Sequence, residues 1–518
     1  MNITRLEKIF YITLIICIQF LVISPIFSND KIIFYSSFTD DFFYYIKIAK
    51  NIALGEGSTF NGIVQTNGYH PLWLIILTIF VKLATLLNIE ILLFIKKIIA
   101  LIIFLSFYLF YKYSTEYLTN VFWRVFFVLF IYIWYGVSSS FGMETIITIP
   151  LFLIFILSYL KNVNPYYIGL LVSLTTLSRL DSFVIFLVFF GVESLYTKFD
   201  FKRIAKIGLG FLPVAAYLLS NIYYFDSLMP VSGMAKSVLK ITALHAATFI
   251  TLFEFYFKFN YVYFGIFIYS IFNLYKFKQF ENTIKIFYIT ALASVPVYYL
   301  QNSLRSDWAL WFWYLYPLIL STIMLAIPLN TIFTSYKYFD LKNKHLQILQ
   351  QSFLIFALSI ISLYTFKKLK NVSYDPIMVA GIKILDFEKN NPGIYAMGDR
   401  AGFVGYLLSS PLIQLEGLVM DSNYLNLLEK NRNIEEILNY YNTTYYIGTG
   451  LRKDENNCFI VIEPTQSNGF SRRIESRLCW EEVLHFTVRD KIQGDTTTHI
   501  LKRRNLITSP SNPPINGW

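Results

Sequence analysis

Charge is what this sequence has least of. Only 15% of its 518 residues are Asp, Glu, Lys or Arg, while 55% are hydrophobic and 19% aromatic, a balance that excludes an ordinary soluble enzyme. Proline and glycine are sparse, at 16 and 23 residues, so neither a collagen-like nor a low-complexity disordered chain fits. Three cysteines in such a length exclude a disulfide scaffold. No C-x-x-C, H-E-x-x-H, Walker A or G-x-S-x-G pattern occurs, which leaves zinc hydrolysis, nucleotide hydrolysis and the commonest serine chemistry without a motif. What the chain does have is apolar length. A mean hydropathy of +0.51 points to a polytopic membrane protein.

The net charge of +11 is unevenly spread. Residues 1–369 hold 28 Lys/Arg against 16 Asp/Glu, and residues 370–518 hold 16 against 17. The basicity therefore belongs to the apolar part, as loop lysines obeying the positive-inside rule would give, and no basic tail for nucleic acid is indicated. The same cut suggests two domains, a membrane domain over 1–369 and a soluble one over 370–518. Cys458 and Cys479 both fall in the second. In an oxidising compartment they could pair, closing a loop of about 22 residues worth roughly 3 kcal/mol; two separate buried thiols are the alternative.

Apolar runs of span length lie near 9–27, 91–111, 121–137, 143–160, 165–179, 182–197, 205–225, 259–275, 284–300, 311–330 and 351–366. The first follows Arg5 and Lys8 without an A-x-A site, so it is read as an uncleaved helix. That predicts eleven spans, with 71–88 and 241–257 as short spans or interfacial helices. Charge then orients them. The N-terminus, Lys112, Arg124, Lys161, the cluster Lys198, Lys202, Arg203 and Lys206, then Lys276, Lys278, Lys285, Lys337, Lys342 and Lys344 form a consistent cytoplasmic set. Lys96 and Lys97 are exceptions that snorkelling would accommodate. An odd count puts 370–518 outside a plasma (inner) membrane, and the polar insertions at 28–70, 138–144, 179–181, 226–240 and 301–310 then open on that outer face. One external site is the expectation.

The first insertion reads SSFTDDFFYYIKIAKNIALGEGSTFNGIVQTNGYHPLW, from Ser36 to Trp73. Phe42, Phe43, Ile46, Ala49, Ile52 and Ala53 follow helical spacing, predicting an amphipathic interfacial helix over about Asp41–Leu54, capped by Thr39 or Asp40 and stopped by Gly55 and Gly57. Asp40 and Asp41 are either a cap and a dipole partner or something sharper. A carboxylate held at a membrane surface among apolar side chains gains the basicity to deprotonate an attacking hydroxyl. Asn67, His70 and Pro71 follow, with His70 open to a structural or a catalytic role.

The order DD, then YYxxIAxNxxxGxGxTFNG, then TNGYHPLW resembles the first external loop of bacterial GT-C fold glycosyltransferases that use polyprenyl-phosphate sugars. Within that fold it is most similar to cell-wall terminal arabinofuranosyltransferases and to membrane proteins carrying TNG[FY]HPLW. The resembling block covers about 34 residues. It implies a catalytic base among these aspartates, Asp41 before Asp40, with inversion at the transferred sugar. It also implies a lipid-phosphate-sugar donor and an extracytoplasmic glycan, lipid or protein acceptor.

Further segments fit that frame. Ser139-Ser140-Phe141-Gly142-Met143-Glu144-Thr145 is similar to the family's GMET segment; Glu144 would orient the acceptor or, if one is used, a divalent cation, and otherwise is an acid at a helix N-terminus. Ser178-Arg179-Leu180-Asp181 puts two ionisable groups at membrane depth, either functional or marking a tight hairpin. Pro230-Val231-Ser232-Gly233-Met234-Ala235-Lys236 resembles PxSGxxK. A polyprenyl-phosphate leaving group needs a cation and a hydroxyl, so Ser232 and Lys236, with Arg305 or Arg179, form the candidate phosphate clamp. Trp308, Trp311, Trp313, Tyr314 and Tyr316 read as an interfacial belt or as sugar-stacking rings. In the tail, strand-like runs at Ile394–Met397, Leu412–Leu415, Tyr445–Ile447 and Phe459–Ile462 alternate with helical ones at Val379–Glu388 and Asn423–Tyr441, predicting an α/β domain. GDRAGFVGYL, from Gly398, lacks dinucleotide spacing. LEGL, from Leu415, recurs in the related membrane proteins. The sequence thus predicts an all-α polytopic GT-C-type membrane domain with an external α/β domain. A flippase or a receptor with an external binding domain is the rival reading, although no internal repeat of the transporter kind is evident.

Overall fold

A computed structural model of the chain describes residues 5–136, 141–197, 200–237, 257–306, 308, 310–335, 344–370, 375–465, 473–490 and 494–504. The expected piece at 241–257, apart from its last residue, and Ser139, Ser140, Lys198, Lys337 and Lys342 lie outside the described residues.

Each of the eleven apolar runs falls on helix, but they are not eleven full spans. Among the described residues, four helical stretches are long and apolar enough to cross a membrane: Arg5–Phe27, Ile91–Tyr117, Asn282–Arg305 and Phe312–Thr334. A fifth exists if Phe201–Gly210 and Leu212–Phe225, bent by 48° at Phe211, count as one. Pro71–Leu86, Val121–Gly136, Thr145–Leu160, Tyr261–Phe272 and Gln351–Lys367 are apolar helices of 10–17 residues. Sixteen helical residues rise only about 24 Å, short of a hydrocarbon core of about 30 Å. Hydropathy alone does not register that shortfall, because it scores the apolar residues of turns together with those of the helix.

Packing among the helices is secured by buried polar groups, as expected where lipid supplies no hydrophobic drive between them. The central helix Tyr316–Thr334 is buried almost throughout. It receives Tyr113 Oη on the Ile323 carbonyl at 2.9 Å and Trp123 Nε1 on the Ala326 carbonyl at 2.7 Å. Arg124 is not a solvated loop cation: it is 1% exposed and donates to Glu7 through Nε at 3.1 Å. Lys96 does not snorkel either. It is 1% exposed, its Nζ donates to the Ser37 carbonyl at 2.9 Å, and it stands 4.6 Å from the Phe38 ring centre.

The tail folds as two sheets with flanking helices. β1 (Tyr395–Met397), β2 (Leu412–Gln414), β3 (Tyr445–Thr449), β7 (Glu481–Asp490) and β8 (Gly494–Lys502) form a sheet in the order β2-β1-β3-β8-β7. Its first three strands are parallel and the last two antiparallel. β4 (Arg452–Lys453), β5 (Phe459–Glu463) and β6 (Ile474–Leu478) make a small antiparallel sheet. The expected helix Asn423–Tyr441 is two, Ser422–Glu429 and Ile434–Tyr440, separated where Asn431 takes a positive φ of 49°. Cys458 and Cys479 are paired.

The loop helix runs Asp40–Leu54, with Gly55 at a φ of 86° ending it. It does not lie open in the interface; Phe42, Phe43, Tyr44, Ile46 and Ile48 are buried, with the tail packed on it. Phe43 meets Phe403 edge-on at 4.9 Å, Lys47 Nζ donates to the Leu408 carbonyl at 3.0 Å, and the Asp375 amide donates to Ser36 Oγ at 3.1 Å. The apolar stripe that reads as lipid-facing in the sequence faces protein instead, because periodicity reports which side is buried and not what buries it.

Candidate functional site

Five polar interruptions of the apolar helices converge with the tail on one cavity of about 510 Å³. Asp41, His70, Glu144, Arg179, Asp181, Ser232, Lys236 and Arg305 all line it. Backbone contacts hold the segments together. The Thr39 amide donates to the Phe141 carbonyl at 3.3 Å, Trp73 Nε1 to the Gly142 carbonyl at 3.0 Å, and Ser237 pairs with Ser306 in a short antiparallel bridge.

Asp40 and Asn67 are the two predicted residues outside the cavity. The Asp40 carboxylate accepts from the Gly402 amide at 3.0 Å and the Phe403 amide at 2.8 Å, so it caps the tail helix Ala401–Leu407. Gly402 is required there, since a Cβ would stand 2.3 Å from the Asp40 carbonyl oxygen. Asn67 accepts from the Val231 amide at 2.9 Å and thereby ties the TNG segment to the Pro230 segment. Its neighbour Gly68 lies against the tail, where a Cβ would meet the Leu418 carbonyl oxygen at 1.8 Å.

Asp41 sits one residue along the same helix and turns into the cavity. Among the described residues no group hydrogen-bonds its carboxylate. Burial pushes it up to about 6, with Lys236 opposing and Glu144 adding to the rise. Lys236, in the short helix Val231–Lys236, donates to Tyr314 Oη at 3.2 Å and stands 5.5 Å from the Trp308 ring centre. Burial would lower its basicity, but Tyr314 and Asp41 carry it above the usual lysine value, so it is a cation at neutral pH. Arg305, the last residue of its helix, reaches the cavity exposed and has no ion pair among the described residues.

Deeper in the same cavity lies a closed ionic lattice. Arg179, 1% exposed, donates Nε to Asp181 Oδ1 at 3.0 Å and pairs Nη1 with Glu144 Oε1. Tyr298 and Tyr316 donate to Asp181 at 2.5 and 3.1 Å, and the guanidinium lies 4.5 Å over Tyr314. Burial alone would raise Asp181, but Arg179 and His70 hold it below the ordinary carboxylate range. His70 Nδ1 accepts from the Leu180 amide at 3.3 Å, which leaves the proton on Nε2, 3.9 Å from Glu144 Oε1. Burial lowers its basicity against the pull of Glu144, so a neutral ring is favoured. Glu144 is thus committed to Arg179, with Tyr45 Oη at 3.5 Å on its other oxygen. Among the described residues no group of three or more His, Cys, Asp or Glu has metal-binding geometry.

The aromatic cluster is split by position. Trp308, Trp313 and Tyr314 line the cavity, Tyr316 serves Asp181, and Trp311 is 45% exposed outside it. Sequence reasoning missed the tail's share. Leu418 and Val419 form part of the cavity wall, and Leu418 is the last residue of LEGL, so the signal was present but pointed to no contact. Tyr298 carried no signal, being one among 39 tyrosines, and Tyr45 stood in the YYxxIAxN block with no role assigned to it.

The cavity is therefore lined by a carboxylate of raised basicity with no hydrogen-bond donor among the described residues, together with a lysine, an arginine and aromatic rings. No family model matches the chain, and no curated protein matches it.

Proposed function

We propose that the protein is an integral membrane glycosyltransferase that moves a sugar from a polyprenyl-phosphate carrier to an extracytoplasmic acceptor. The observation that carries this reading is the convergence of Asp41, Lys236 and Arg305 on one cavity, at the polar ends of apolar helices and under the tail. A lipid-borne donor reaches such a site from the bilayer, with its phosphate at the level of the cations.

In the proposed reaction, Asp41 takes the proton of an acceptor hydroxyl as its oxygen attacks the anomeric carbon. The bond from that carbon to the phosphate oxygen breaks, and the electron pair leaves with polyprenyl phosphate. Attack opposite the leaving group inverts the configuration. Lys236 has donors to spare beyond its bond to Tyr314, and with Arg305 it stabilises the charge that grows on the departing phosphate. Ser232, at the same wall, offers a hydroxyl to the phosphate. Trp308 and Trp313 supply flat apolar surface for a sugar ring, and His70 Nε2 supplies a donor. Arg179 is paired on both sides, and its part is to hold Glu144 and Asp181 in place.

The disulfide supports an extracytoplasmic tail, because such bonds persist in oxidising compartments. The cavity, roofed by that tail, then opens outward, where nucleotide sugars are not expected and lipid-linked ones are. The test is transfer of labelled sugar from a panel of polyprenyl-phosphate donors by the purified protein, comparing wild type with Asp41→Asn and Asp40→Asn. Transfer that survives Asp41→Asn in a folded protein removes Asp41 as the base. No transfer from any donor removes the class.

A further inference from the structure

The helix Phe183–Tyr196 begins beside Asp181 at the cavity, and the helix Asn282–Arg305 runs the other way, reaching the cavity with its last residue. Their far ends meet. Asn282 Nδ2 donates to the Tyr196 carbonyl at 3.3 Å, and the Tyr196 and Phe277 rings stand 6.2 Å apart. With 14 and 24 residues at about 1.5 Å each, these helices set that end of the molecule roughly 20–35 Å from the cavity. Two short basic segments flank it, Phe201–Gly210 and Leu274–Gln279.

Phe201–Gly210 has one stripe turned to protein. Arg203 pairs with Glu193 at 2.6 Å, and Ile207 lies against the helix Pro165–Ser178, where a Cβ on Gly169 would stand 2.0 Å from the Ile207 carbonyl oxygen. The outer side is different. Lys202 and Lys206, four residues apart and so on one face, are exposed without an ion pair among the described residues, and Phe201 and Leu209 beside them are 72% and 55% exposed. Leu274–Gln279 repeats the pattern: Lys278 is exposed without an ion pair among the described residues, and Tyr275 is 70% exposed. Nearby acids do little to offset these charges. Glu193 is buried against Arg203 and Tyr159, Asp200 spends its carboxylate on the Lys202 and Arg203 amides, and Glu281 is exposed.

Large apolar side chains exposed together with ammonium groups suit neither bulk water nor hydrocarbon. They suit the boundary, where the apolar bodies enter the acyl region and the cations stay level with the phosphates. The adjoining helix Asn282–Arg305 is of span length, so its first residues lie at a bilayer surface, which favours a lipid surface over a soluble acidic partner. We propose that this face binds anionic phospholipid headgroups, in the leaflet away from the cavity, through Lys202, Lys206 and Lys278. A zwitterionic headgroup offers the same phosphate but brings an ammonium that the lysines repel, so preference follows net charge. The proposal stands apart from sugar transfer, since it concerns the opposite end of the molecule and is read by binding alone.

The test is titration of a fluorescent phosphatidylglycerol into the purified full-length protein in neutral detergent. Dioleoylphosphatidylglycerol, dioleoylphosphatidylcholine and inorganic phosphate are the competitors. Wild type is expected to bind dioleoylphosphatidylglycerol at least about tenfold more tightly than dioleoylphosphatidylcholine, since each lysine at a headgroup contributes about fivefold. Lys202→Gln, Lys206→Gln and Lys278→Gln combined, all at exposed positions, should remove most of that preference, and the same three positions changed to Arg should keep it. Raising the salt to about 1 M should weaken the wild-type preference, as screening requires. Equal competition by the two lipids, displacement by inorganic phosphate alone at millimolar concentration, or a preference unchanged in the Gln variant would overturn the proposal. So would an Arg variant that loses as much as the Gln variant, because that loss would come from packing and not from charge.

Discussion

Asp40 and Asp41 are adjacent, similarly buried and chemically identical, yet helical geometry turns them about 100° apart and gives them different partners. The first is saturated by two amides of the tail; the second faces the cavity without a donor. Asp41→Asn is therefore expected to lower kcat by about 10²–10⁴-fold, the range for a general base, with a melting temperature close to that of the wild type. The sign of the pH dependence follows from burial. Asp41 is raised to about 6 and works as a base only when ionised, so kcat/KM should rise through about pH 6 and fall about tenfold per unit below it. An acid limb centred near pH 4 would show that Asp41 is not the titrating group. Arg179 belongs to a different class of effect. Replacing it with Met leaves Glu144 buried without its cation, and breaking such a pair costs roughly 3–5 kcal/mol. Thermal unfolding of Arg179→Met should register that loss, and equal stability would mean the lattice is replaceable. The sequence marked both aspartates and this arginine as chemically significant. It did not say which aspartate is left for the proposed role of base, because the amides that occupy Asp40 lie some 360 residues away in the chain.

The loop helix Asp40–Leu54 is the element on which site and tail meet, and its C-terminal end was legible, whereas neither Thr39 nor Asp40 caps its start with a side chain as expected, the Asp40 carboxylate being taken by the tail. Gly55 ends it by adopting a left-handed conformation, and its apolar spacing identified the buried face. The partner was not legible, since a stripe of Phe, Ile and Ala packs equally well on lipid and on a protein wall. Docking by this element predicts that Asp40→Ala destabilises the tail's attachment. Two orphaned amides cost about 1–3 kcal/mol each, so limited proteolysis should release the tail more readily. Gly402→Ala should act in the same direction by steric contact with the Asp40 backbone, while Asp41 itself stays unaltered. Protease resistance equal to wild type in both variants would mean that other contacts hold the tail. The short apolar helices carry a related lesson. Composition located Val121–Gly136, Thr145–Leu160 and Gln351–Lys367, but their lengths depend on where backbone hydrogen bonding stops, and hydropathy does not see that.

For the whole molecule, the consequence is that the tail forms part of the site and not merely a module hung beside it. Leu418 and Val419 line the cavity, the Leu418 carbonyl lies against Gly68 of the first loop, and Asp40 caps a tail helix. A tail acting only to guide acceptors could be removed with a change in acceptor range and no loss of basal transfer. A tail that walls the cavity could not. Without it, the cavity opens to water, Asp41 loses part of the burial that raises it, and the field on the departing phosphate is screened. Termination of the chain after residue 374 is therefore expected to abolish transfer to every acceptor, not to redistribute it. Membrane insertion should persist, because the four helices of span length among the described residues all lie before that point. Co-expression of residues 375–518 as a separate secreted chain adds a stricter test. If the contacts at Asp40, Lys47 and Gly68 suffice for docking, transfer returns with the second chain and is lost again when that chain lacks Leu418 and Val419. Full transfer by the truncated protein alone would separate tail from site.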